Sequence, residues 1–185
     1  MSDEKLWAPW RLAYITGVHQ RERKAVSAWN APPGAEASCF LCRAAFEGAD
    51  RANLVVGRGP QSIVVLNRFP YNNGHLLIAP LAHHARLDEF PPETHLEMLD
   101  QMRRATQAIE RLMNAQGFNI GVNLGAVAGA GVPGHLHWHI VPRWPGDTNF
   151  MPAVAAVDVI PQSLEALYEL LAPALADESK DVRDG

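Results

Sequence analysis

His135-Leu136-His137-Trp138-His139-Ile140-Val141 alternates imidazole and apolar side chains with the period of a β-strand. Such a strand turns His135, His137 and His139 to one face and Leu136, Trp138 and Ile140 to the other, which reads as core. Successive imidazoles then begin roughly 6.5–7 Å apart, so three titratable rings share one row. The whole chain has only 8 histidines in 185 residues, which makes a chance row on a solvated face a poor explanation. Two chemical readings remain. Neighbouring His-x-His pairs can chelate a metal, or a neutral imidazole can attack phosphorus while its neighbours donate hydrogen bonds to phosphate oxygens and the leaving group.

The residues just before the row bear on that choice. Asn123-Leu124-Gly125-Ala126-Val127-Ala128-Gly129-Ala130-Gly131-Val132-Pro133-Gly134 is rich in small residues whose backbone can curl around an anion and aim N–H groups at it. By itself such a run is more often an ordinary tight turn. Joined directly to the histidines, it reads as a phosphate cradle facing a nucleophile.

Further outward, Leu54–Val56 and Ser62–Leu66 flank Gly57-Arg58-Gly59-Pro60 in a hairpin pattern, and His75–Ala79 follows the turn residues Pro70-Tyr71-Asn72-Asn73-Gly74. Pro91-Pro92-Glu93 opens a long helix with Leu96, Leu99, Met102, Thr106, Ile109 and Met113 as its apolar face, ended by Gly117. Strands are expected again at Phe118–Asn123 and Leu136–Val141, and a short helix at Leu164–Leu171. The elements sum to an α+β fold, a mostly antiparallel sheet of five strands with the long helix packed on one face. Residues 1–38 read as an aromatic segment (Trp7, Trp10, Tyr14) followed by loop, 39–175 as a single domain, and 176–185 as a charged tail.

A composition 48% hydrophobic and 19% charged is that of a globular protein, and a formal charge of −4 argues against nucleic acid or anionic membrane as partners. No run of eighteen apolar residues and no secretory layout is visible, so a cytoplasmic location is expected. Cys39 and Cys42 are three apart, a spacing that suggests a metal or redox site in a reducing compartment, although two buried thiols serve equally well in a core.

The histidine row, Leu66-Asn67-Arg68-Phe69-Pro70, and Asn73-Gly74-His75-Leu76-Leu77-Ile78 together resemble the histidine triad family, whose motif is His-φ-His-φ-His-φ-φ with φ apolar. Within it, Trp7-Ala8-Pro9-Trp10-Arg11, Ala128-Gly129-Ala130-Gly131, Val141-Pro142-Arg143-Trp144 and Gly146-Asp147-Thr148-Asn149-Phe150-Met151 are similar to the diadenosine tetraphosphate phosphorylases, also called ATP adenylyltransferases. The resemblance runs from about Leu6 to Leu171. It departs from the hydrolase branches just before the triad, where a Gln, Ser or Thr is replaced by Gly, Ala, Val and Pro, and in a connection from Asn123 to His135 one residue longer.

The resemblance implies an AMP transfer enzyme with His137 as nucleophile and His139 as donor to the phosphate. It implies nucleotide contacts from Asn67, His75, Asn123, Gly129, Ala130 and Gly131. Arg143, Asp147 and Asn149, just after the catalytic strand, are read either as shaping an acceptor site or, for Asp147-Thr148-Asn149, as an ordinary turn. Ile63 and Leu66 are read either as an adenine sandwich or as core. The substrates implied are an adenosine nucleotide or dinucleoside polyphosphate and inorganic phosphate, with a divalent cation accompanying the nucleotide. Hydrolysis of dinucleoside polyphosphates or adenosine phosphoramidates, or nucleotide sensing with little turnover, are the alternatives. His83 and His135 match the third and fourth ligands of zinc-containing members, so that Cys39, Cys42, His83 and His135 would form a structural zinc site. A homodimer or homotetramer is also implied. His84, His19 and His95 are expected at the surface.

Overall fold

A computed structural model describes residues 29–147 and 160–177. The expectations for Trp7, Trp10, Tyr14, His19, Asn149 and the end of the tail lie outside them. Helix α1 (Phe40–Phe46) and the single turn α2 (Asp50–Asn53) lead into β1 (Val55–Arg58), β2 (Ser62–Leu66) and β3 (Leu76–Pro80). Helix α3 (Pro92–Met113) follows, then β4 (Gly117–Val122), β5 (Trp138–Arg143) and α4 (Leu164–Asp177). The five strands form one sheet in the order β1-β2-β3-β5-β4, and every neighbouring pair is antiparallel. This is the expected α+β fold. Helix α3 packs on β2, β3 and β5, and α4 packs beside it against β1.

Pro92 sits at the first position of α3, where its missing N–H is not needed and its fixed φ suits the helix. Asn114, not Gly117, ends the helix in the left-handed conformation at φ 52°. The buried face also differs from expectation. Met98, Met102, Ala105, Ala108 and Ile109 face the sheet, whereas Leu96 and Leu99 are 66% and 54% exposed. Small side chains at 105 and 108 let the helix approach the strands closely, and a periodicity weighted towards leucine misses them. Met98 is only 1% exposed, and Met98→Ala is expected to cost about 2–5 kcal/mol in urea denaturation.

Two further ties fix the frame. Glu97 of α3 accepts from the Gln61 N–H at 2.9 Å and from Ser62 Oγ at 2.7 Å, which pins the β1–β2 turn to the helix. A Cβ at Gly59 would overlap that carboxylate, so a larger residue there would displace the Glu97 side chain from the turn. Arg104 of α3 donates to the carbonyl of Leu175 at 2.8 Å, placing a cation at the C-terminal end of α4. Helix α4 runs through Pro173 and is longer than the expected Leu164–Leu171. Ile63 and Leu66 are 0% and 1% exposed, which assigns both to the core and removes them as an adenine sandwich.

Candidate active site and metal centre

Ladder pairing of the histidine strand begins only at Trp138, so His135, at a bend, and His137 lie on an irregular lead-in rather than inside β5. The lead-in is held by backbone instead: the Leu136 N–H donates to the His84 carbonyl at 2.7 Å. His135 and His137 are buried at 1% and 5% exposure, and His139 is half-buried. The row thus runs from the interior towards solvent.

Each ring has a tautomer set by its partners. His137 Nδ1 lies 2.8 Å from the carbonyl oxygen of His135, a pure acceptor, so Nδ1 carries the proton and Nε2 holds a free lone pair. Burial pushes the pKa of His137 below the ordinary value, partly opposed by the hydrogen bond to His135. The ring is therefore neutral at pH 7, the form a nucleophile needs.

His75 receives two donors at Nδ1, the Tyr71 N–H at 3.1 Å and the Asn67 side-chain amide at 3.2 Å. Its proton is consequently on Nε2, which donates to His139 Nδ1 at 3.0 Å. That assigns the proton of neutral His139 to Nε2. Asn67 is itself oriented, because its Oδ1 accepts from the Phe69 N–H at 3.0 Å. An amide has two donors and two lone pairs, so these bonds leave Asn67 capacity for a ligand. His75 is 1% exposed and stands behind His139. The Tyr71 N–H is a backbone donor that no reading of side-chain types could have found.

Burial, then the nearby His139 and His137, lower the His75 pKa to about 3. The unfolded chain takes up a proton below about pH 6.5 that the folded chain refuses, so stability falls as pH drops from 6.5 towards 3. Between pH 7 and pH 5 this amounts to about 2 kcal/mol. Urea denaturation at the two pH values should show at least that loss in the wild type, because burial also lowers the pKa of His135, to about 4, and His75→Gln should reduce the difference by about 2 kcal/mol.

The glycine-rich loop differs from an open cradle. Ala126–Ala128 form a 3₁₀ turn, and the N–H groups of Gly129 and Ala130 bond back to the carbonyls of Ala126 (3.0 Å) and Gly125 (3.4 Å). Both amides expected to face a phosphate are thus turned into the loop, because Gly125 and Gly129 at φ 83° and 89° close it on itself. Gly131 is exposed, and Asn123 is half-buried just past β4. Asp147 takes Arg143 in two bonds of 2.6 and 2.8 Å, and Arg143 also bonds Asn119 at 2.8 Å. These charges are committed to each other and hold the Asp147 carboxyl down at about 2, the Arg143 hydrogen bond being the main cause. Arg143 and Asp147, both expected at an acceptor site, are thus paired with each other. His84 is exposed, whereas His95 is half-buried and bonds the Leu87 carbonyl through Nε2 at 2.9 Å.

Cys39, Cys42, His83 and His135 converge from the start of α1, the loop after β3 and the lead-in to β5, with their ligand atoms all within 4.8 Å of one another. His135 Nδ1 is 3.4 Å from Cys39 Sγ, 3.6 Å from Cys42 Sγ and 3.3 Å from His83 Nδ1, and Cys42 Sγ is 3.2 Å from His83 Nδ1. A tetrahedral zinc with Zn–N of about 2.0 Å and Zn–S of about 2.3 Å sets its ligand atoms about 3.3–3.8 Å apart. The cluster fits that ion. His135 Nε2 donates to the Pro80 carbonyl at 2.9 Å, leaving Nδ1 as the ligating lone pair. A Cβ at Gly134 would come within 3.3 Å of His83 Nε2, so glycine there lets the lead-in pass the third ligand.

A family model described as HIT domain matches residues 50–146. Over 169 residues the chain is 35% identical to a protein named AP-4-A phosphorylase from Mycobacterium tuberculosis (strain CDC 1551 / Oshkosh), covering 91% of this chain and 83% of the relative. It is 35% identical over 86 residues to an asymmetrical bis(5'-nucleosyl)-tetraphosphatase from Schizosaccharomyces pombe, with 46% of this chain and 47% of that protein covered. A Zn-bound histidine triad family protein from Mycobacterium smegmatis superposes with a TM-score of 0.62 at 28% identity, over 78% of this chain and 97% of that one. No helix among the described residues is long and apolar enough to cross a membrane. A family match over more than half the length and a relative alike along nearly all of it place the chain among the HIT-domain proteins, and it is an enzyme of that family.

Proposed function

We propose that this enzyme transfers AMP from a dinucleoside polyphosphate to inorganic phosphate through a phosphoramidate on His137, with phosphorolysis of diadenosine tetraphosphate to ATP and ADP as its main reaction. The observation that carries the reading is the 2.8 Å bond from His137 Nδ1 to the His135 carbonyl, which leaves a neutral, buried Nε2 as nucleophile. Nε2 bonds the α-phosphorus while the P–O bond to the β-phosphate breaks and ATP departs. A phosphate oxygen then bonds the same phosphorus, the P–N bond breaks, and ADP leaves with the imidazole restored. His139, protonated at Nε2 through His75, donates to the phosphate oxygens. Asn67 and Asn123 hold the nucleoside and phosphate region, and the Gly129-Ala130-Gly131 segment borders the polyphosphate.

Phosphate as acceptor is favoured by the AP-4-A phosphorylase relative. The tetraphosphatase relative favours water instead, over a shorter stretch. The reading includes a cytoplasmic enzyme with structural zinc on Cys39, Cys42, His83 and His135, a divalent cation accompanying the nucleotide, and a homodimer or homotetramer. The sheet edge at β4, with Ile120 46% exposed, suits such self-association, which sedimentation would measure. The deciding assay incubates the full chain with diadenosine tetraphosphate, with and without phosphate, and separates the products. ATP and ADP formed only with phosphate are expected. AMP and ATP formed without phosphate would make it a hydrolase, and tight binding without products a sensor.

A further inference from the structure

Tyr71 lies in the loop between β2 and β3, away from the row of histidines in sequence, yet its ring meets His139 of that row and His75 behind it. Its ring stacks on His75 with centroids 4.9 Å apart and on His139 with centroids 5.9 Å apart, at 26° to each. Its backbone N–H also sets the His75 tautomer. A tyrosine placed for packing alone would be buried, but this one is 50% exposed. Its exposed ring covers an imidazole pair instead of filling the core.

The loop around it is braced from both sides. Asn67 Oδ1 holds the Phe69 N–H at 3.0 Å on one side. On the other, Asn72 donates to the Pro142 carbonyl at 3.1 Å and to Asp147 at 2.8 Å. Asp147 is locked by Arg143 at the end of β5, the strand that carries His139. The arrangement closes on itself: the end of β5 fixes a loop whose aromatic ring lies against a histidine near the start of β5.

From this juxtaposition we infer that Tyr71 is a positioning residue, its ring holding His139 in the single orientation in which Nε2–H acts on the polyphosphate. His139 sits among Tyr71, His75 at 5.2 Å and His137 at 5.1 Å between ring centroids. The bond from His75 selects which edge of the His139 ring turns inward, and the stack resists its tilting out of plane. Each such interaction is worth roughly a factor of five to ten in the population of one orientation. Removing the ring should therefore lower the rate of a step that His139 assists without weakening nucleoside binding, which other residues supply. The kinetic consequence rests on the nucleotidyl-transfer reading; the orientation of the ring does not.

The test compares wild type, Tyr71→Phe and Tyr71→Leu as full-length protein. Long-range ¹H–¹⁵N NMR of the imidazoles reads the His139 tautomer, and steady-state kinetics on diadenosine tetraphosphate with phosphate read kcat and KM separately. A single Nε2–H tautomer is expected in wild type and Tyr71→Phe, and averaged ring signals in Tyr71→Leu. In parallel, kcat should fall about 10–100-fold in Tyr71→Leu with KM within about twofold, and Tyr71→Phe should stay within about threefold of wild type. Unchanged His139 signals in Tyr71→Leu would overturn the inference, as would a Tyr71→Phe variant as impaired as Tyr71→Leu. If the wild type turned over no dinucleotide, the transfer reading would fall, and the NMR comparison would still decide the role of Tyr71.

Discussion

His137→Asn is expected to lower kcat on diadenosine tetraphosphate by a factor on the order of 10⁴ or more, with the melting temperature within a few degrees of wild type. The size follows from what the residue supplies. A covalent route splits a difficult displacement into two easier ones, and without Nε2 neither step is available; a 10⁴-fold loss corresponds to about 5.5 kcal/mol of barrier. The substitution is gentle on the fold because the asparagine amide can still donate to the His135 carbonyl, as His137 Nδ1 does at 2.8 Å. Residual activity close to wild type would mean that another group attacks phosphorus. By contrast, His139→Asn removes a donor and should cost about 10²–10³.

The second large effect concerns stability. Cys42→Ala, or chelation of the wild-type protein, should lower the melting temperature by about 10 °C or more. Losing one of four ligands, three of them buried, leaves the others without an ion, a cost on the order of 3–5 kcal/mol, at about 2–4 °C per kcal/mol for a chain of this size. Cys42 is fully buried, and burial, its main cause, pushes its thiol up to about 11. Activity should fall alongside stability for a geometric reason. His135 offers its ring to the metal cluster and its carbonyl to His137, so whatever fixes the ring also fixes the group that sets the nucleophile's tautomer. An unchanged melting curve after chelation, with zinc verified as removed, would show that the four side chains hold the fold as a metal-free core.

The features legible in the sequence are those written in side-chain type and spacing. Alternation of His135, His137 and His139 with Leu136, Trp138 and Ile140 gave the strand's two faces, and Ser62–Leu66 appears with the expected limits. The late start of β5 at Trp138 was hidden because side-chain alternation reads the same whether or not the backbone is paired in a ladder, and the lead-in bonds the carbonyls of Val132 and His84 instead. On α3, Leu96 and Leu99 looked like core by hydrophobicity alone, while Ala105 and Ala108 carry the approach to the sheet. Helix α1, with 7 residues, and α2, with 4, are too short for a helical period to show. Within the site, the Asn67 amide helps to assign the His75 proton, but the other groups that assign proton positions are the carbonyls of His135 and Pro80 and the N–H of Tyr71. Those are main-chain atoms present in every sequence, and only the fold says where they point.

The most direct test is to trap the intermediate. Enzyme mixed with a stoichiometric amount of diadenosine tetraphosphate in the absence of phosphate, quenched in alkali and digested, should yield the peptide containing His137 heavier by one adenylyl group. Fragmentation should place the group on that residue, and it should vanish on adding phosphate before the quench and in His137→Asn. Full turnover with no adduct at any time after mixing, or an adduct on a different residue, would contradict transfer through His137.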